Sequence, residues 1–131
     1  MRTISLDELK RVLKDIPDNP RVLVSGNFAT PKALLNAFDS AVSQYTLHML
    51  NAQTGIPNRD GVTYESAFVG PGMRNSPHLN YIPSRLSLLP VIIRDHAIPD
   101  VVLLHTSLRR YDTVSLGTEV NILPAAIETV R

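Results

Sequence analysis

The chain has 131 residues and a formal net charge of +1, with 44% hydrophobic and 19% charged residues, which fits one globular domain with a buried core. Both signs of charge are spread along it, without a basic block or an acidic tail, so nucleic acid and membrane surfaces are not expected partners. The absence of cysteine excludes disulfides, thiolate metal sites and a cysteine nucleophile, and with no signal-peptide-like start and no apolar run of membrane-spanning length the expected setting is soluble and cytoplasmic.

Ser5-Leu6-Asp7-Glu8 is a capping box, in which the serine hydroxyl and the glutamate carboxylate each satisfy a free amide at a helix start. Leu6, Leu9, Leu13 and Ile16 then recur at helical spacing, until Asp18-Asn19-Pro20 closes the segment. Arg21–Ser25 is short and β-branched, so a buried strand is expected. Gly26-Asn27-Phe28-Ala29 leads to Thr30-Pro31, with Thr30 as N-cap and Pro31 in the first turn of a helix running to about Gln44. Tyr45–Asn51 reads as the next strand, which makes a βαβ unit with parallel strands and a right-handed crossover.

Ala52–Gly61 is polar and turn-rich, a surface loop, and Val62–Val69 is a third strand. Gly70–Asn80 is irregular, and Tyr81-Ile82 is a short strand before Pro83. Ser87 is a candidate cap for a helix over Leu88–His96, with Pro90 tolerated in the first turn. Val101–Thr106 is the clearest strand, apolar on both faces, as expected of a parallel strand in a covered sheet. Val114–Leu116 reads as a short strand, Gly117 as a break and Asn121 as the cap of a last helix. The order α, β, α, β, β, α, β, β, α predicts an α/β fold: an open, mainly parallel sheet with helices on both faces. A crossover helix normally leads to another strand, so a chain ending on one is expected to be part of something longer.

Five segments, VSGNFATP at Val24–Pro31, FVGPGMR at Phe68–Arg74, NYIPSRLSLLP at Asn80–Pro90, IPDVVLLHTS at Ile98–Ser107 and VSLGTEVNILPAAIE at Val114–Glu128, resemble in order and spacing the N-terminal domain of the acetyl-CoA hydrolase/transferase family, including the 4-hydroxybutyrate and succinyl-CoA:acetate CoA-transferase types. One departure lies at Ser107–Thr113, where the family's proline-rich turn and following glycine are replaced by Ser-Leu-Arg-Arg-Tyr-Asp-Thr. The resemblance implies a CoA-transferase-like sheet and acyl-CoA and a small carboxylate as ligands, with coenzyme A arriving as substrate rather than as a resident cofactor. It also implies a second, C-terminal domain, absent from this sequence, whose glutamate attacks the thioester to form a glutamyl-CoA intermediate that a carboxylate or water resolves. Glu8, Glu65, Glu119 and Glu128 lie in no glycine-flanked loop of that kind, so no catalytic residue is expected here. Whether the protein forms a homo-oligomer stays open.

The leading site is Gly26, Asn27, Phe28, Ala29 and Thr30, between the carboxyl end of a strand and a helix N-terminus, where open α/β sheets place ligands and amides suit an anion. The competing explanation is that any tight βα turn wants a glycine; on the binding reading, Gly26→Val weakens substrate binding without unfolding the protein. Gly70-Pro71-Gly72-Met73-Arg74 offers amides and the Arg74 guanidinium to an anion, against the plainer reading of a flexible surface loop. Arg109-Arg110 suits steering of CoA phosphates, against that of a solvated pair. No pair among His48, His78, His96 and His105 has local metal-site spacing, so no metal is assigned; His48 and His105, placed in strands, are expected to pack or hydrogen-bond. Against the transferase reading stands a non-catalytic, stand-alone α/β binding or subunit module.

Overall fold

A computed structural model describes residues 2–131. Strands β1 (Arg21–Val24), β2 (Tyr45–His48), β3 (Val62–Ser66), β4 (Leu79–Tyr81) and β5 (Val101–Leu103) form one open sheet in the order β4-β3-β2-β1-β5. Every neighbouring pair is parallel, with Val22 opposite Leu47 and Val101, and Leu47 opposite Tyr64. The helices are α1 (Leu6–Val12), α2 (Lys32–Ala41), α3 (Leu89–Asp95) and α4 (Leu123–Thr129).

Strand alternation explains why both faces are covered. Val22 and Val24 of β1 point into one core with Leu35 and Phe38 of α2 and with Leu13 just after α1. Leu23, between them, joins Leu89 and Ile93 of α3 and Ala125 and Ala126 of α4 in the other. The α/β fold with helices on both faces is therefore the observed architecture.

The capping box forms as its residues predict: the Glu8 amide donates to Ser5 Oγ at 3.2 Å and the Ser5 amide to Glu8 Oε2 at 3.0 Å. Its helix is shorter than the apolar spacing suggests, passing at Leu13 into a 3₁₀ turn over Leu13–Asp15. The strands are shorter too: β1 stops at Val24, β2 at His48, β3 at Ser66 and β5 at Leu103. Apolar residues continue past the ends of β2, β3 and β5, but there the chain leaves the ladder to build loops. β5 is the sheet edge rather than a covered interior strand, and of its residues only Leu103 is fully buried. Val114–Leu116 forms no strand; instead Ser107 and Ser115 close a loop, amide to carbonyl at 2.9 Å and Ser115 amide to Ser107 Oγ at 2.9 Å.

Three expected caps are replaced by other arrangements. Thr30 Oγ1 donates to the Asn27 carbonyl at 3.3 Å, and Pro31 occupies the N-cap position of α2. Ser87 lies inside a 3₁₀ turn that runs into α3 without a side-chain cap. Asn121 Oδ1 accepts from the Ile122 amide, one residue before α4 begins. At its other end α2 stops at Ala41, not Gln44, because Arg59 gathers the free carbonyls there: it donates to Asp39 at 3.1 Å, Val42 at 2.7 Å and Ser43 at 2.7 Å. The same guanidinium pairs with the Asp39 carboxylate and lies over the Tyr45 ring. The 52–61 connection is thereby pinned, with Ala52 and Ile56 buried, so it is not a loose surface loop. No helix among the described residues is long and apolar enough to cross a membrane.

Candidate functional site at the carboxyl end of the sheet

The loops that follow β1, β2 and β3 interlock through backbone contacts that only glycine permits. A Cβ on Gly26 would lie 1.9 Å from the Leu50 carbonyl oxygen, one on Gly70 2.4 Å from that of Ala52, and one on Gly72 2.3 Å from that of Gln53. Hydrogen bonds tie the same loops: Asn51 amide to Phe68 carbonyl at 2.6 Å, and Gly72 amide to Ala52 carbonyl at 2.8 Å. The Gly70–Arg74 stretch is thus part of the packed frame, with Met73 fully buried. The Gly72 and Met73 amides are spent on internal carbonyls, which removes them as donors to an anion. Arg74 is exposed and reaches back to the Val69 carbonyl at 3.4 Å; no described contact joins it to the Gly26 loop.

Within that loop the residues diverge in role. Gly26 and Thr30 are buried, Asn27 and Ala29 half-buried, and Phe28 is 93% exposed. The Ala29 amide donates to the Gly26 carbonyl at 3.2 Å, so it too is used internally. Asn27 adopts a left-handed backbone, φ 45°, which asparagine accepts more readily than most residues.

Its side chain anchors a polar network. Asn27 Nδ2 donates to Glu119 Oε2 at 2.6 Å and Asn27 Oδ1 accepts from Asn51 Nδ2 at 2.5 Å. Asn121 Nδ2 donates to the other Glu119 oxygen, and Gln53 Nε2 donates to the Asn51 carbonyl at 3.0 Å. Glu119 is 6% exposed and makes no ion pair among the described residues, so carboxamides alone compensate its burial. Buried carboxylates persist only with such donors. Sequence reasoning passed over Glu119; the signal was two flanking turns rich in asparagine, which becomes meaningful only when the fold brings position 27 to position 119.

Two cavities flank the turn. One, of about 270 Å³, lies between Asn27 and Asn121 and is walled by Leu50, Phe68, Leu86 and Pro90. The other, of about 350 Å³, lies between Phe28 and Leu116 and is lined also by His105, Thr106 and Thr118. His105 is exposed and lies beyond the end of β5, not packed in a strand. Arg109 folds onto its own loop, donating to the Tyr111 carbonyl at 2.7 Å and pairing with Asp112. The turn at Arg110–Thr113 closes through two 3.0 Å backbone bonds around Tyr111 at φ 53°, with no proline in it.

Glu119→Ala is expected to lower stability by about 2–3 kcal/mol, because it strands the Asn27 and Asn121 amides, while Glu119→Gln, which keeps an acceptor, should cost less. Urea midpoints of the two variants give the comparison; equal midpoints would show that the network is incidental.

A second polar group lies deeper, beneath α3 and α4. His48 is fully buried, and its Nδ1 meets Glu65 Oε1 at 2.9 Å. Glu65 Oε2 is 3.4 Å from the Arg21 guanidinium. Burial pushes the Glu65 carboxyl upward, but the His48 hydrogen bond and charge together with Arg21 outweigh it and hold it below the usual range. Among the described residues His48 Nε2, Arg21 Nε and Ser25 Oγ are buried without a hydrogen-bond partner. Among the described residues no group of three or more histidine, aspartate or glutamate side chains is arranged to hold a metal ion. No protein-family model matches the chain, and no curated protein sequence matches it significantly.

Proposed function

We propose that this chain is the N-terminal portion of an acyl-CoA hydrolase or CoA-transferase, moving coenzyme A between an acyl-CoA and a carboxylate or water through a glutamyl-CoA thioester formed on a second domain. One observation supports this above the rest: the segments that carry the family resemblance converge at one end of the sheet. Asn27 of the first segment meets Glu119 and Asn121 of the last, and Phe68 of the second with Leu86 and Pro90 of the third wall the cavity beside them. Ligands of parallel α/β sheets bind at this end.

The charge at the turn refines the reading. Glu119 lies directly behind Asn27 and opposes a phosphate there, so the turn suits the neutral acyl or pantetheine part of the substrate. The reacting carboxylate belongs elsewhere. Glu8 caps a helix, Glu65 is held by His48 and Arg21, Glu119 is held by amides, and Glu128 is paired with Arg94 on the surface. A thioester exchange needs a carboxylate free to attack, with donors around the oxyanion that forms.

The expected result is that the purified chain binds acetyl-CoA, with NMR shifts at Asn27 and Phe28, but does not consume it, with or without acetate. Thioester loss catalysed by the chain alone would refute the division of labour, and absence of any acyl-CoA binding at this loop would refute the substrate class.

A further inference from the structure

We propose that the exposed loop Ser107–Ser115 is a lid that swings onto Phe28 and closes the cavity between Phe28 and Leu116 at the carboxyl end of the sheet. The lid follows from how this loop is built and anchored, and does not depend on what the cavity holds.

Among the described residues Tyr111, Phe28 and Leu108 are the most exposed large apolar side chains, at 96%, 93% and 91%, and the next, Leu6, stands at 63%. A single exposed apolar residue is ordinary, but these three sit on two segments that share one cavity. That cavity, of about 350 Å³, has Phe28 and Ala29 as one wall and Thr106, Ser107, Gly117 and Thr118, the two ends of the loop, as another. It therefore lies in the crook between the Phe28 turn and the base of the loop. Leu108 and Tyr111, beyond that base, do not line it in the open arrangement.

The loop is built to move as one piece. Every residue from Ser107 to Ser115 is exposed. Its base is clasped by the two 2.9 Å bonds between Ser107 and Ser115, and its tip by the paired Arg110–Thr113 backbone bonds and Thr113 Oγ1 on the Arg110 carbonyl at 3.0 Å. On either side, Leu104 and Leu116 pack against the core beneath α3 and α4 and hold the ends. Between anchor and clasp lie two short hinges. One is His105–Thr106, past the end of the β5 ladder. The other is Gly117, at φ 69°, where an added Cβ would meet nothing within 4 Å. Glycine is needed there for its backbone freedom and not for close packing, so the torsions can change without displacing a neighbour. A side-chain bond, the Gly117 amide to Ser115 Oγ at 3.1 Å, holds the open position. Phe28 rides on the pinned Gly26–Thr30 turn, so the loop is the part that travels. Closure changes torsions at a few loop positions, as hinged lids do, and takes apolar surface of Phe28, Leu108 and Tyr111 out of water.

The test is NMR relaxation dispersion on the 131-residue chain without ligand, read at the Phe28 and Tyr111 rings and the Leu108 methyl groups. The expected result is that all three side chains report one common exchange process on the microsecond-to-millisecond scale of lid motions. Phe28→Ala, at an exposed position that leaves the fold intact, should abolish the exchange at Leu108 and Tyr111 while the amide shifts of the five strands stay in place. Flat profiles at the three side chains overturn the lid. So does exchange at Leu108 and Tyr111 that Phe28→Ala leaves unchanged, which would describe a loop that moves without closing on the turn. No acyl-CoA is present in this measurement, so the lid and the proposed function fail separately.

Discussion

Gly26→Val is expected to destabilise the fold rather than empty a binding site. The backbone at Gly26, φ −87° and ψ −158°, is open to any residue, so conformation does not demand glycine there. Space does: the first carbon of any side chain would lie 1.9 Å from the Leu50 carbonyl oxygen, more than 1 Å inside contact. That oxygen belongs to backbone held in turn by the Asn51–Phe68 hydrogen bond and the Gly70 contact, so it cannot withdraw alone. Overpacking a rigid core costs about 1–3 kcal/mol and sometimes more, and displacement of a pinned backbone belongs at the upper end. Against a total stability of about 5–15 kcal/mol, that is a large fraction: Gly26→Ala should already lower the urea midpoint clearly, and valine should lower it further. The sequence-based expectation was reduced binding in a folded protein. A Gly26→Val chain with a wild-type midpoint and circular dichroism would restore that expectation and show that the loops yield more easily than their contacts imply.

The same contacts explain what could and could not be read in the sequence. Strands and helices were legible because their periodicity is local: Val22, Leu23 and Val24 alternate between two cores, and Ser5 and Glu8 close a box within one turn. Ends were less legible because they depend on distant partners. α2 stops where Arg59, 18 residues past Ala41 in the chain, reaches its carbonyls, and β5 is an edge because among the described residues it pairs with β1 alone. The site was half legible. The Gly26–Thr30 turn lies at the expected end of the sheet, and within Gly70–Arg74 the Gly72 and Met73 amides are bonded to internal carbonyls, which no local pattern announces. Glu119 was invisible as a partner of Asn27, since the two are 92 residues apart and no spacing rule links them.

Glu65→Ala should lower stability by about 3 kcal/mol near neutral pH, the scale of breaking a buried ionic pair by removing one member. Two groups lose their partner: the fully buried His48 and the Arg21 guanidinium, whose side chain is 32% exposed and so recovers part of its loss in water. The pH dependence separates charge from packing. The Glu65 carboxyl is held below its ordinary value in the fold, so the folded state binds that proton more weakly than the unfolded state. Its contribution is therefore fully present above the ordinary glutamate pKa and is lost as pH falls through the folded value. Wild-type stability should drop across this acid range while Glu65→Ala changes less, so the two denaturation midpoints converge at low pH. Glu65→Gln should fall between them at neutral pH, because it still accepts from His48 but offers Arg21 no charge. If the gap between wild type and Glu65→Ala stays constant from neutral to acid pH, the residue acts by filling space beneath α3 and α4. A gap that closes identifies the His48–Glu65–Arg21 group as an ionic clasp joining β1, β2 and β3 under the helical layer.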